Sequence, residues 1–336
     1  MAAADPCPLC AFEETVVLQT TEPLGPQDRF VQFNLAAAGT SVSFSGCPRC
    51  AMVFRQPRPS ATELNRYYAD TLPPLEPGMM AGMGVTPALA AARYDVRYAG
   101  LFQELSPLAG STPGHIADFG GWDGRSLKPW LANGWQATLV DPGAAGRPRV
   151  DDRIRSFSTA AEARAALPPA GVVTSYHCLE HLLDLGAWRE EALSLGHPGT
   201  LWVIEVPFDV IHIRGLMAPR PMPASVVHEQ HLNFFVPDSL RALGEHMGLD
   251  VEQVRIVVTE YWFGPIVGLR LVGRQRSAAP AALRPRFRDG AALRGFLARR
   301  LPLWKGWAGL KYRYFRWTHP PITSAEQAPS SITAPK

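Results

Sequence analysis

"ADFGGWDGRS" occupies residues 117–126 and decides the fold. Three glycines, Gly120, Gly121 and Gly124, directly follow the apolar run "GHIADF", which is typical of a buried strand. Glycine has no Cβ, so this spacing allows a sharp turn and a close approach of the main chain to another group. The stretch lacks the Gly-Lys-Ser/Thr of a Walker loop and departs from Gly-x-Gly-x-x-Gly, so it only weakly indicates a dinucleotide site.

Strand and helix patterns alternate on both sides of this turn, from about residue 114 to residue 275. Such alternation predicts a doubly wound, mainly parallel, seven-stranded α/β sheet. The last two apolar runs, "VEQVRIVVTEYW" and "GPIVGLRLVGR", predict a terminal antiparallel pair. Ligands of doubly wound sheets bind beyond the carboxyl ends of the strands, so we expect the glycine turn to face a ligand.

Asp141 ends the next strand, "ATLVDP", about 20 residues after the turn. A carboxylate at this place can accept hydrogen bonds from both hydroxyls of a ribose. No basic residue lies within residues 120–124, which favours a nucleoside without phosphates, such as S-adenosylmethionine. Asp118 and Asp123 would then suit its sulfonium and amino groups.

The same segments resemble the class I S-adenosylmethionine-dependent methyltransferases. "ADFGGWDGRSL" is similar to their first motif, "TLVDP" to their second-strand acid and "TSYHCLEHLLD" to their fourth-strand segment. The resemblance implies a Rossmann-like domain over residues 111–275. Trp122 would cover the methionine part of the cofactor or fill a gap beneath a helix. The expected cofactor-binding residues are Asp118, Gly120, Gly121, Trp122, Gly124, Asp141, Phe157 (beside adenine) and His177.

Two Cys-x-x-Cys pairs, Cys7 with Cys10 and Cys47 with Cys50, precede this domain. Four thiolates on β-hairpins suit a structural zinc ion, so residues 1–60 are predicted to form a zinc ribbon. The strand-like runs between the pairs are "ETVVLQT", "RFVQFNL" and "TSVSFSG". Unrelated pairs, or a single redox pair, are the alternatives. Residues 61–110 are predicted to form a helical linker or lid.

Two further stretches are similar to sugar C-methyltransferases. "CPRCAMVFRQPRP" resembles the end of their zinc-binding module, with Ala51 in place of a glycine, and "HEQHLNFFVPDSL" occupies the place of the segment that carries their base. The resemblance implies that His231 is the base, with His228 beside it, and that the acceptor is a sugar, nucleotide-linked or part of a lipid-linked glycan. A structural histidine is the alternative for His231. "HCLEH" (177–181) resembles a zinc-peptidase signature, but a strand precedes it where that signature needs a helix.

Other functions stay open from the sequence alone. An O- or N-methyltransferase of a small natural product or of RNA is one alternative. A non-catalytic scaffold on a methyltransferase fold is another, because a fold does not fix an activity.

Charge is uneven along the chain. The net charge is +3, yet residues 271–318 carry 12 lysines and arginines against one acid. Residues 276–318 are predicted to form a basic, aromatic helical segment, and the polar, proline-rich residues 319–336 to be disordered. For residues 294–317 we expect either contact with a membrane or glycolipid surface, or packing on the domain or a second subunit. Nucleic acid is the least favoured partner.

The start lacks a signal-peptide pattern, which predicts a cytoplasmic protein, at most peripheral at the inner membrane surface.

Overall fold

A computed structural model describes residues 5–143, 147–211, 216–217, 220–223, 228–277, 282–319 and 321–323, with only the main chain for residues 71–76. In chain order the elements are β1 (Val16–Thr20), α1 (Arg29–Gln32), β2 (Ser43–Gly46), β3 (Val53–Gln56), α2 (Ala61–Arg66), α3 (Leu72–Gly82), α4 (Pro87–Ala109), β4 (His115–Phe119), α5 (Lys128–Ala132), β5 (Gln136–Val140), β6 (Arg155–Phe157), α6 (Ala160–Ala166), β7 (Val172–Tyr176), α7 (Leu185–Ser194), β8 (Leu201–Pro207), β9 (Asn233–Phe234), α8 (Pro237–His246), β10 (Leu249–Tyr261), β11 (Gly264–Gln275) and α9 (Gly290–Thr318). Most of the tail predicted to be disordered lies outside the described residues.

The main sheet has the order β10-β11-β8-β7-β4-β5-β6 in the described part of the chain. Strands β4 to β8 pair in parallel, whereas β11 is antiparallel to both β8 and β10. Strands β5 and β6 lie on one side of β4, and β7 and β8 on the other. The strand order therefore reverses beside β4, and a crevice forms at its carboxyl end. This confirms the predicted doubly wound, mainly parallel α/β fold.

The N-terminal module is a second, antiparallel sheet with the order β1-β2-β3-β9. Its last strand, β9, comes from the loop between β8 and α8 of the larger domain, so the module is joined to that domain by main-chain hydrogen bonds. Arg55, fully buried on β3, adds hydrogen bonds of 2.6 Å to Glu229 O and 3.0 Å to Leu35 O. The loop of residues 228–234 is thus held by the N-terminal module.

One predicted strand of the module is wrong. Residues 29–32 of "RFVQFNL" form the short helix α1. Phe30 and Leu35 are buried while Gln32 is exposed, so the side chains do not alternate as a strand requires. None of the helices in the described residues is long and apolar enough to cross a bilayer.

Candidate cofactor and acceptor site

The glycine turn after β4 packs against side chains of its own chain. Gly120 and Gly124 both have a φ of +77°, a conformation that favours glycine. A Cβ on Gly120 would lie 2.4 Å from Cys178 Sγ, and a Cβ on Gly124 would lie 2.8 Å from Ile154 Cδ1. Glycine is therefore needed here for internal packing, in addition to any approach of a ligand.

Asp118 lies beneath this turn and is fully buried. Its carboxylate accepts hydrogen bonds from Ser126 Oγ and, at 2.7 Å, from Thr174 Oγ1. Burial raises the pKa of Asp118 to about 6, although the two hydroxyl groups oppose that shift. The predicted contact of Asp118 with a sulfonium is not available in this structure, because both of its oxygens hold the turn from inside the protein.

Asp141 ends β5 beside the turn, where the sequence predicts a ribose ligand. Its carboxylate accepts hydrogen bonds from Trp122 N at 3.2 Å and from Gly143 N at 2.8 Å. Trp122 itself has a φ of +56° and is 42% exposed, which argues against its filling a gap beneath a helix.

Arg147 is a neighbour of Asp141 that sequence reasoning missed. Its Nη1 lies 3.0 Å from Asp141 Oδ1, and its guanidinium carbon lies 3.6 Å from the centre of the Trp122 ring. The glycine turn itself contains no basic residue, but this arginine places a cation over it. A ribose hydroxyl that binds Asp141 Oδ1 would share that oxygen with Arg147.

Phe157 and His177 lie on either side of these residues. Phe157 ends β6 and is partly exposed. Its carbonyl accepts a 3.0 Å hydrogen bond from Asp141 N. Phe157 therefore lies on the side of Asp141 where the sequence predicts the adenine. His177 follows β7 with a φ of +50°. Its Nε2 lies 3.4 Å from Glu205 Oε1, and its ring centre lies 5.3 Å from that of Tyr261.

A buried network of charged side chains lies behind His177, and no pattern in the sequence predicts it. Glu205 on β8 accepts hydrogen bonds from Arg97 Nη2 at 2.8 Å and from Arg270 Nε at 2.7 Å, and all three side chains are buried. Burial opposes ionisation of Glu205, but the two arginines outweigh it and hold the pKa of Glu205 well below its usual range. The network ties α4 to β8 and β11 and fixes the groups around His177.

Four histidines and a glutamate continue the same edge of the sheet. Cys178 packs on Gly120 and leads into the turn that carries Glu180. The buried Oε1 of Glu180 lies 3.6 Å from His177 Nδ1 and 3.6 Å from His181 Nε2. The His181 ring is centred 4.8 Å from that of His231, and the His228 ring stacks on His231 at 4.2 Å. The structure thus brings His231 and His228 together, and His181 and Glu180 link them to His177 beside the glycine turn.

His231 differs from His181 and His228 in the direction of its pKa shift. Burial opposes its protonation, but Asp209, hydrogen-bonded to its Nδ1, outweighs burial and raises the pKa of His231 above its usual value. Burial lowers the pKa of His181 to about 4 and that of His228 to about 3. Glu180, His181 and His231 offer atoms within 4.8 Å of one another, a spacing that also allows a metal ion.

The four predicted zinc ligands meet in the N-terminal module. The Sγ–Sγ distances are 3.5 Å for Cys7–Cys50, 3.6 Å for Cys10–Cys47 and 3.7 Å for Cys10–Cys50. Tetrahedral zinc with bonds of about 2.3 Å requires sulfur atoms about 3.8 Å apart, so these thiols fit the ion. Both pairs use the same turn: Ala11 N bonds to Cys7 O and Ala51 N to Cys47 O, with φ of +52° and +65° at the two alanines.

Comparisons with known proteins found one matching family and several similar solved structures. Residues 90–254, just under half of the chain, match the family described as "Methyltransferase domain". None of the curated proteins compared with the sequence matches it. Similar solved structures include the glycopeptide N-methyltransferase MtfA with S-adenosyl-L-methionine (17% identity, 53% of this chain and 93% of that chain, TM-score 0.36). Another is the Burkholderia thailandensis 1,6-didemethyltoxoflavin-N1-methyltransferase (16%, 67% and 96%, TM-score 0.42).

Proposed function

We propose that this chain, whose residues 90–254 match a methyltransferase domain, uses S-adenosylmethionine to methylate a sugar, nucleotide-linked or part of a lipid-linked glycan, with His231 as the base. The observation that carries the proposal is the hydrogen-bonded pair of Asp209 and His231 on the edge of the sheet that also holds the glycine turn.

The crevice beside β4 suits the cofactor, which supplies an activated methyl group when bound. The main chain of residues 120–124 would support it, Asp141 would accept hydrogen bonds from its ribose hydroxyls, and Phe157 would lie beside its adenine. Trp122 and His177 would contact its methionine side. Asp118 acts from beneath, by holding the turn in shape.

Methyl transfer requires that the acceptor lose a proton as the new bond forms. Asp209 engages Nδ1 of His231, which leaves Nε2 for the acceptor hydroxyl or acidic C–H group and fixes the direction of the ring. The neutral His228 stacks on a face of this ring and limits its rotation. Among the histidines of this cluster, the arrangement therefore favours His231 as the base, because its ring is held in one orientation.

Zinc in the four-cysteine cluster would be structural, and its effect would reach His231 through the main chain. Strand β3 of the N-terminal module pairs with β9, and Arg55 holds the carbonyl of Glu229, two residues before His231. A module fixed by zinc thus fixes the loop that carries the base.

The test is a screen of sugar nucleotides and lipid-linked glycans for uptake of radiolabelled methyl groups. We expect uptake by at least one sugar with the wild type, and a turnover rate lower by about 100-fold or more in His231→Gln. The matched control is His197→Gln, an exposed histidine away from the site, which should keep the wild-type rate. Full activity of His231→Gln would remove the base assignment. Methylation of a small natural product or RNA, and of no sugar, would refute the acceptor class.

A further inference from the structure

Helix α9 presents an apolar stripe that the rest of the described chain leaves uncovered. Its first half packs on the protein through buried Leu293 and Leu297. Its second half carries large apolar and aromatic side chains spaced alternately four and three residues apart. Side chains at this spacing lie on one face of a helix. These side chains are 52–81% exposed: Leu303, Trp307, Leu310, Tyr314 and Trp317.

The charges of α9 all have one sign. The helix contains seven basic residues and no acidic residue: Arg294, Arg299, Arg300, Lys305, Lys311, Arg313 and Arg316. Arg294 is engaged with the carbonyls of Val17 and Leu18 on β1. Of the other six, Arg299 and Arg300 precede the stripe, and Lys305, Lys311, Arg313 and Arg316 lie within its span. This single-sign charge favours an anionic partner.

The end of α9 is joined to the tip of the β10–β11 hairpin. Arg93 donates hydrogen bonds of 2.9 Å to Ile322 O, just beyond the helix, and of 2.8 Å to Trp262 O at the tip. Ile322 packs in the small apolar cluster that contains Trp262. Phe263, the next residue of the tip, is 44% exposed. The hairpin therefore adds an aromatic side chain near the end of the stripe.

This surface leads to the candidate site through neighbouring aromatic rings in edge-on and tilted contact. The Phe263 ring is centred 5.1 Å from that of Tyr261, and Tyr261 is centred 5.3 Å from His177 at the carboxyl end of β7. A partner bound at the tip of the hairpin would thus lie two side chains from the edge of the crevice.

We propose that residues 301–318 of α9 and the hairpin tip bind the surface of an anionic lipid bilayer. The tryptophans and tyrosine of the stripe lie at the boundary between headgroups and acyl chains, where such side chains are enriched. The leucines between them enter the apolar layer, and the four cations of residues 301–318 contact lipid phosphates. The helix lies in the plane of the membrane. Docking itself does not depend on the acceptor, but together with the proposed function it selects the lipid-linked class of glycan.

Two other occupants explain the surface less well. A second copy of the chain packed along the stripe would bring two sets of cations together, with no acid on either helix to pair with them. Nucleic acid would use the cations and aromatic rings, but Leu303 and Leu310 would gain little from stacked bases.

The test is sedimentation of the full chain with two kinds of vesicle, phosphatidylcholine alone and phosphatidylcholine mixed with phosphatidylglycerol. We expect the protein to sediment with the mixed vesicles, and the bound fraction to fall as salt is added. The double variant Trp307→Ser/Trp317→Ser should lower the partition coefficient by about tenfold or more. The matched control Val17→Ser, an exposed apolar residue outside the stripe, should not change it.

Several results would overturn the proposal. A wild type that stays in solution with both vesicles would do so, as would a double variant that binds as well as the wild type. A concentration-dependent dimer abolished by the double variant, without vesicle binding, would assign the stripe to a second copy. Salt-dependent retention of RNA, again without vesicle binding, would assign it to nucleic acid. Methyl transfer to a water-soluble acceptor serves as a separate readout, since the double variant should leave it intact.

Discussion

The contact of Gly120 with Cys178 joins the glycine turn to the segment that follows β7. The variant Gly120→Ala tests how much this contact contributes to stability. Two separate costs follow from the structure. A φ of +77° strains any residue with a Cβ by about 1–2 kcal/mol. The new Cβ would also lie 2.4 Å from Cys178 Sγ, and overpacking of this kind costs about 1–3 kcal/mol more. The expected loss in the free energy of unfolding is therefore about 2–5 kcal/mol.

Gly134→Ala is a matched control that carries only the first cost. Its φ is +82°, but the nearest atom to an added Cβ is 3.7 Å away. Urea unfolding followed by tryptophan fluorescence should show a loss of about 1–2 kcal/mol for this variant. Adding Cys178→Ala to Gly120→Ala should recover part of the larger loss, because it removes the clashing sulfur. If the two glycine variants lose equal stability, or if Cys178→Ala gives no recovery, the reasoning about this contact fails.

Three further outcomes follow from the site. Arg147→Gln should tighten S-adenosylmethionine binding in calorimetry, because Asp141 Oδ1 no longer pairs with a cation; weaker binding would show that Arg147 helps to hold the cofactor. Glu205→Gln should lose about 3 kcal/mol of stability, because two buried arginines lose their shared carboxylate. Since the folded pKa of Glu205 is depressed, the stability difference should be present above pH 4.5 and shrink as the pH falls below it; a pH-independent difference would contradict this cause. Removal of zinc with a chelator should lower the thermal unfolding temperature and slow methyl transfer together, whereas a chelator without effect on either would refute a structural ion at the four cysteines.

The sequence was informative where short-range patterns determine structure. The alternation of apolar strands and helices predicts the doubly wound sheet, and "GGWDG" predicts the turn after β4 because left-handed backbone conformations favour glycine. The two Cys-x-x-Cys pairs predict a four-thiol cluster, and the cysteines meet.

Contacts between distant segments were not predictable in the same way. Arg97, Glu205 and Arg270 come from three separate elements. The pairing of β8 with β11 places Arg270 opposite Glu205, and the packing of α4 on the sheet brings Arg97 to them. Asp209 meets His231 because β9 joins the N-terminal sheet, a pairing that no local pattern indicates. Asp118 was predicted to face the cofactor because its residue type suits a cation. Its burial beneath the turn depends on Ser126 and Thr174, which the motif alone does not reveal.

The central claim is that a nucleoside cofactor lies over the glycine turn with its ribose held by Asp141. Calorimetric titration of S-adenosylmethionine into the wild type, Asp141→Asn and the charge-matched control Asp152→Asn, an exposed aspartate, tests it most directly. Loss of hydrogen bonds to a charged acceptor costs about 1.5–3 kcal/mol, so we predict one site per chain and a dissociation constant raised by about 10- to 100-fold in Asp141→Asn alone. Equal affinity in Asp141→Asn and the wild type, or no binding to the wild type, would contradict the account.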